Sequence, residues 1–334
     1  MPRSRADESG ALAEDVEVEA VGRATAGRAA RSGRRGPSRR RLGRRESAAG
    51  WIFTSPALLV LILLNTFPLI YSILISFSRV DTSTGLEFGE RTLSNWSGLL
   101  QDSQFWGSLQ FTVIFTVLAV ASEYVLGLAL ALLLREKLAG GGFFRVLFAI
   151  PMMLTPVAIG FMWRMLYDQS NGPINAALGF LGLGSPGWLS DRHLAVVSVV
   201  IMDVWEWTPL VFLLLLAGLQ SIGSELIDAA RVDGASGWQI ITRIILPLLA
   251  PVSVTAVFLR MIDSFQVFGQ IFLLTGGGPG TATTSTTLFG FFQGFQSFDL
   301  GYGAAIALSL LVLVIVVSTL FLSTSRRLLQ RVEA

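Results

Sequence analysis

The chain contains no cysteine, a single histidine and a single lysine. Without cysteine there is no disulfide, no thiolate metal site and no cysteine nucleophile. The lone His193, beside Asp191 and Arg192, reads as a loop residue rather than a ligand. No catalytic residue and no metal ligand is therefore assigned. Charge is scarce as well: Lys, Arg, Asp and Glu make up 14% of the 334 residues, against about 25% in a soluble domain. Hydrophobic residues make up 52%, and several apolar runs approach or exceed ~18 residues, the length that marks a bilayer span rather than a soluble core.

The position of the lysine excludes a Walker A site. A P-loop ends in Gly-Lys-Ser/Thr, whereas Lys137 is followed by Leu138. The Gly/Thr-rich stretch from Thr275 to Thr287 is thus an ordinary loop. If ATP drives the protein, another polypeptide binds it.

The net charge of +2 conceals an asymmetry, since residues 1–50 carry twelve arginines and seven acids without apolar periodicity. Residues 1–49 read as a disordered, Arg-rich cytoplasmic tail. Beside a membrane span its role is topological, with anionic lipid rather than nucleic acid within reach. The first span acts as an uncleaved anchor. Apolar segments fall near 52–78, 109–134, 143–167, 194–219, 244–275 and 301–325, each long enough to cross ~30 Å of hydrocarbon, some with a tilt or a break at Pro68, Pro151, Pro156, Pro209 or Pro251. Starting inside, twenty Lys and Arg residues fall on the inner side and four on the outer. That bias places both termini in the cytoplasm. Trp96, Trp106, Trp163 and Trp188 fall near the outer surface, as interfacial aromatics do. The expectation is an all-α membrane protein: a domain of about six transmembrane helices over 50–326 and a short cytoplasmic tail over 327–334.

The inner loop between the fourth and fifth spans, within residues 220–247, is the most informative stretch. From Ser224 to Pro251 it reads as two short helices joined by a turn. Ser224 is a candidate N-cap with Glu225 and Asp228 in the first turn. Asp233-Gly234 is a turn signal, and Ser236 with Gln239 is a capping-box pattern. Small residues Ala229, Ala230, Gly234 and Ala235 allow close approach of a partner.

This stretch resembles the EAA loop of ABC importer permeases: Glu-Ala-Ala, three residues, Gly, nine residues, Ile, one residue, Leu-Pro. Asp228-Ala229-Ala230 takes the first place, Gly234 follows after three residues, and nine more lead to Ile244 and then Leu246-Pro247. Asp228 departs from the pattern, keeping the charge of Glu with a shorter reach. The resemblance covers about residues 50–325 and is nearest to sugar permeases of the maltose and glycerol-phosphate type, in their larger-subunit class. It is carried also by Pro56, Pro68, Asn95-Trp96, Arg145 to Trp163, Gly172, Asn175, Arg260 to Pro279 and Phe298 to Ala305. It implies an importer-permease fold whose loop forms a coupling helix seated in an ATPase cleft, with Asp228, Ala229, Ala230, Asp233, Gly234, Ile244, Leu246 and Pro247 in that role. The implied partners are a second permease subunit in a heterodimer, two ATPase subunits that hold ATP and magnesium, and an extracytoplasmic solute-binding protein. The implied setting is the bacterial plasma membrane, and the implied solute is a sugar, oligosaccharide or polyol, with glycerol phosphate as the alternative. The resemblance also implies no cofactor on this chain and no enzymatic activity of its own, ATP hydrolysis being on the separate ATPase subunits.

Polar residues inside spans are costly, so they point to function by default. Glu123, Asp203, Glu206, Arg260, Asp263, Gln266 and Gln270 qualify. Arg260 and Asp263, at i and i+3, read as neutralising one another. Gln266 and Gln270 share a helical face near Phe265 and Phe268, and amides beside aromatic rings suit a neutral polyol or sugar. Asp203, Glu206, Phe265, Gln266, Phe268 and Gln270 are the candidate solute-pathway residues. Two other classes compete. A membrane enzyme would need further acids after the superficially similar Asp228–Ala235 motif, and none occurs from Ala235 to Ile262. An ion-coupled carrier would need paired broken helices in two repeats, and no clear repeat is present.

Overall fold

A computed structural model of the chain describes Trp51 and residues 54–81, 87–135 and 141–333. The tail over 1–49 and Ala334 lie outside the described residues. The fold is helical. α1 (Thr54–Ser76), α3 (Ser103–Leu133), α7 (Arg192–Gln220) and α9 (Gly237–Phe265) are each long and apolar enough to span a membrane. So is α12, Leu300–Glu333. Between the first two lie a strand hairpin, β1 (Ser78–Asp81) with β2 (Glu87–Arg91), and the short α2 (Ser94–Gln101). The antiparallel strands pair Val80 with Phe88 and Asp81 with Glu87, a small departure from the all-α expectation. Asn95 ties α2 to the end of α1 by donating to the carbonyls of Ser76 (3.0 Å) and Ser78 (3.1 Å).

The third apolar segment is not one straight span. It divides into α4 (Gly141–Met153) and α5 (Pro156–Leu166), bent by 101° at the break. The residue before a proline is pushed out of the helical region. Thr155 accordingly sits at ψ 147° and caps α5 by accepting from the Ala158 N–H. Counting the bent pair as one span gives six.

The fifth apolar segment is also interrupted. α9 ends at Phe265, Gln266 and Phe268 leave helical geometry, and α10 (Gly269–Leu274) starts a new direction. A Gly/Thr loop leads to α11 (Thr286–Phe291), one π-helical turn (Phe292–Gln296) and α12. α12 runs unbroken to Glu333, so the expected C-terminal tail over 327–334 continues the last helix through residue 333. The remaining helices are α6 (Pro173–Phe180), outside the spans, and α8 (Ser224–Val232), in the loop between α7 and α9.

α3, α7 and α9 pack along one another and form the centre of the described fold. In a bilayer such contacts are held by close packing rather than by removal from water. Gly127 of α3 shows the requirement: a Cβ there would stand 3.0 Å from the backbone nitrogen of Phe212. Two apolar clusters divide this centre. One gathers Phe111, Phe115, Ile159, Trp163, Val199, Met202 and Ile271. The other gathers Ala131, Phe212, Leu215, Leu219, Ile227, Ile240, Ile245 and Leu249. Between them along α3, α7 and α9 stand the buried charged residues.

Candidate functional site

The loop that the sequence singles out is a rigid, two-part element. α7 stops at Gln220, and α8 begins at Ser224 with Gly223, not Ser224, in the capping position. Ser224 is therefore the first helical residue, a correction to its reading as the cap. One side of α8 is held by buried Ile227 and half-buried Ala230, which pack into the second apolar cluster. The other side presents Glu225, Asp228 and Ala229 to solvent. Arg231 donates to Asp228 at 3.2 Å, with both side chains more than half exposed, so the pair adds about 0–1 kcal/mol.

The C-terminus of α8 closes with two backbone bonds, Ala235 N–H to Ala230 C=O (2.9 Å) and Gly234 N–H to Arg231 C=O (3.0 Å). This arrangement needs a left-handed residue after the cap, and Gly234 supplies φ +81° just after the capping Asp233. Ser236 then opens α9 with a complete capping box: its Oγ accepts from the Gln239 N–H (3.3 Å), while Gln239 Oε1 accepts from the Ser236 N–H (2.7 Å). The second of the two expected short helices is thus no separate element. It runs through a π-helical turn at Ile241–Ile245 straight into the fifth span. The motif accordingly falls into two groups. Asp228, Ala229, Asp233 and Gly234 are exposed, whereas Ile244, Leu246 and Pro247 are half-buried at the root of α9. Val232 and Trp238 flank the turn and are largely exposed. Sequence reasoning passed over both, although a large apolar residue in a polar inner loop was the available signal.

The second region is the charge cluster. Arg260 of α9 is 1% exposed, and its guanidinium makes a two-point contact with Glu123 of α3, Nε to Oε2 at 2.6 Å and Nη2 to Oε1 at 2.8 Å. Nη2 also donates to Asp203 of α7 (2.9 Å), Nη1 donates to Asp263, and the cation lies 4.7 Å from the ring centre of Trp207. Four of the five guanidinium hydrogens thus donate to a carboxylate, the pattern a planar fork suits. The i, i+3 neutralisation expected from Asp263 is present but secondary, because Asp263 is 56% exposed while Glu123 and Asp203 are buried. Beside the cluster, Gln270 of α10 donates to both oxygens of Glu206 (3.3 and 3.1 Å).

The six candidate pathway residues therefore separate. Asp203, Glu206 and Gln270 belong to the buried polar centre. Phe265 packs with Met261 and Leu310 in an apolar cluster. Gln266 and Phe268 line an open cavity of about 710 Å³ together with Ser72, Thr286, Thr287 and Phe291. Gln266 and Gln270 do not share a face, because the helix ends between them. The cavity wall carries no charged side chain among the described residues. The Thr287 hydroxyl is buried with no hydrogen-bond partner among them.

Residues 123–331 match the family described as the binding-protein-dependent transport system inner membrane component. The chain belongs to this family: it is a permease subunit. Over 283 residues the permease is 39% identical to the probable ABC transporter permease protein y4oQ of Sinorhizobium fredii, covering 84% of this chain and 90% of that one. It is 38% identical to the trehalose/maltose transport system permease protein MalF of Thermococcus litoralis, over 84% and 95% of the two chains. It is also 32% identical to the trehalose transport system permease protein SugA of Mycobacterium tuberculosis, over 83% and 88%. Among solved structures, a chain of a bacterial alginate ABC transporter, crystallised with its pentasaccharide-bound periplasmic protein, aligns with TM-score 0.76 at 20% identity. The alignment covers 87% of the permease and 99% of that chain, and it shows that the fold is shared.

Within the permease, the partnership of Glu123 with Arg260 is the feature that sequence reasoning left unassigned. Both residues stood out as mid-span charges, but their separation of 137 positions gave no sign that they meet.

Proposed function

We propose that this permease forms half of the translocation path of an ATP-driven importer for a neutral carbohydrate, such as a disaccharide, oligosaccharide or polyol. In this reading it sits in the bacterial plasma membrane with both termini inside and pairs with a different permease subunit. Two ATPase subunits bind ATP and magnesium, and an extracytoplasmic binding protein delivers the solute. The observation that carries the reading is the exposed face of α8, Asp228, Ala229 and the Gly234 turn, braced by Ile227 on the span helices. Relatives named for trehalose, maltose, multiple sugars and starch degradation products support the solute class. The uncharged cavity wall favours a neutral solute over glycerol phosphate, because it offers no cation to a phosphate.

The mechanism follows from how the loop is fastened. Closure of the ATPase dimer displaces α8. Because Ile227 packs with Leu215, Ile240, Ile245 and Leu249, the displacement is passed to α7 and α9 as a rigid-body movement, the form that alternating access commonly takes. The Arg260 cluster keeps α3, α7 and α9 in one block, so the motion reaches the cavity beside Gln266 and Phe268 rather than dissipating between helices. In that cavity the Gln266 amide serves solute hydroxyls, and the Phe268 ring covers an apolar sugar face. Asp203, Glu206 and Gln270 hold the polar centre behind this wall.

The test is purification of the permease in mild detergent, followed by uptake in proteoliposomes with its co-purifying subunits, across trehalose, maltose, longer glucans, polyols and glycerol phosphate. ATP-dependent uptake of a neutral sugar is expected. Uptake by the chain alone, or of glycerol phosphate only, would overturn the reading.

A further inference from the structure

The segment between α5 and α7 has a composition that a water-exposed loop does not need. From Gln169 to Ser190 it carries no charged residue, and from Ala176 to Gly184, Ala-Ala-Leu-Gly-Phe-Leu-Gly-Leu-Gly, it carries no polar side chain at all. The apolar residues do not all turn inward. Ile174 and Leu178 of α6 are half-buried, but Phe180, Leu181 and Leu183 are 92%, 69% and 66% exposed. Three large apolar side chains therefore stand together at the tip of a loop outside the spans.

The loop is built to hold them there. Asn175 donates to the carbonyls of Gln169 and Pro186 (both 3.2 Å) and accepts from the Trp188 indole N–H (2.8 Å), closing the base. At the tip the backbone satisfies itself, with Leu181 N–H on Ala177 C=O (3.3 Å), Gly182 N–H on Gly179 C=O (3.0 Å) and Leu183 N–H on Leu178 C=O (2.9 Å). Gly182 and Gly184, at φ +73° and +79°, turn the chain around Leu183. Backbone donors closed in this way remove the main cost of leaving water. The base is braced on an internal run of rings, with Tyr167 tilted against both Trp163 (5.1 Å between centres) and Trp188 (5.4 Å), and Trp163 and Tyr167 buried.

We propose that Phe180, Leu181 and Leu183 insert into the outer leaflet, making α6 and its tip an interfacial anchor of the permease on lipid. A docking surface for the binding protein would need polar groups to form the hydrogen bonds that such interfaces carry, and the tip has none. An apolar tip without charge, braced at an aromatic base, fits the boundary between headgroups and acyl chains. The inference rests on the reading that places this loop on the outer side.

The chain has no cysteine, so single-cysteine variants Phe180→Cys and Leu181→Cys can carry an environment-sensitive fluorophore in the assembled complex. A wild-type complex labelled in parallel subtracts any cysteine of the partners. In vesicles of phosphatidylcholine and phosphatidylglycerol, both labels are expected to emit to the blue of a label at Ser170→Cys. Lipid-borne nitroxides should quench them, and external iodide should quench them at least about threefold less than the Ser170 label. Strong iodide quenching with no lipid quenching would overturn the proposal, as would shielding that appears only when the binding protein is added. The Ser170 label reports independently on orientation: if external iodide fails to reach it, the outer placement is wrong, whatever the tip does.

Discussion

Arg260 and Glu123 meet through two hydrogen bonds, 2.6 and 2.8 Å, with side chains 1% and 0% exposed, and this contact joins the second and fifth spans. A buried ion pair need not add net stability, yet removing one partner leaves an uncompensated charge in a low-dielectric interior, at about 3–5 kcal/mol. Arg260→Met would strand Glu123 and Asp203 together. We expect this variant to lose thermal stability by that amount, read from the unfolding midpoint of the purified complex. Arg260→Lys keeps the charge but not the fork and should fall between Met and wild type. An unchanged midpoint in Arg260→Met would show that the cluster holds nothing together.

The turn at Gly234 gives a prediction about coupling. A Cβ added at Gly234 would stand in open space, so a side chain there meets no clash. The obstacle is φ +81°, which proline cannot adopt. Gly234→Pro should therefore distort the end of α8 and lower ATP-driven uptake at least about tenfold while the permease still assembles in the membrane. Asp228→Arg acts differently, reversing an exposed charge beside Arg231. It is expected to leave folding intact and to abolish solute-stimulated ATP turnover. Wild-type uptake in both variants would remove this loop from the coupling path.

Trp238 is expected to be an anchor of the same contact. Exposed aromatic residues at protein interfaces often contribute about 2 kcal/mol or more when truncated. Trp238→Ala should weaken ATPase-subunit retention in detergent by roughly tenfold or more, with no change in the thermal midpoint of the isolated chain. Retention equal to wild type would place the ATPase elsewhere.

The sequence revealed those features of the permease that are set locally. Apolar length located the spans. Ser236 and Gln239, three residues apart, announced a capping box that forms with both of its bonds. Asp233-Gly234 announced a turn, and Gly234 adopts the positive φ that the turn requires. Other features depend on how helices meet. Thr155-Pro156 signalled a break, but the 101° bend follows from packing of α5 against α10. Helical spacing put Gln266 with Gln270, and the end of α9 at Phe265 separated them. The contact of Arg260 with Glu123 exists only because α3, α7 and α9 pack side by side, and no local pattern encodes that.

The cavity offers the sharpest division among the candidate pathway residues. Gln266 and Phe268 line it, whereas Phe265 faces Met261 and Leu310. Gln266→Ala and Phe268→Ala should each raise the KM for solute uptake, by about tenfold for the loss of one hydrogen bond or one ring contact of roughly 1.4 kcal/mol, with the thermal midpoint held. Phe265→Ala should do the reverse. It removes a buried ring, costs about 3–5 kcal/mol of stability, and leaves KM unchanged in whatever fraction assembles. Thr287→Val supplies a further check, because it swaps a buried, unpartnered hydroxyl for a methyl of nearly the same size. If that hydroxyl serves the solute, uptake weakens while stability stays level or improves, since an unsatisfied polar group has been removed. If uptake is unaffected and only stability rises, Thr287 is a packing residue, and the solute runs past another part of the wall.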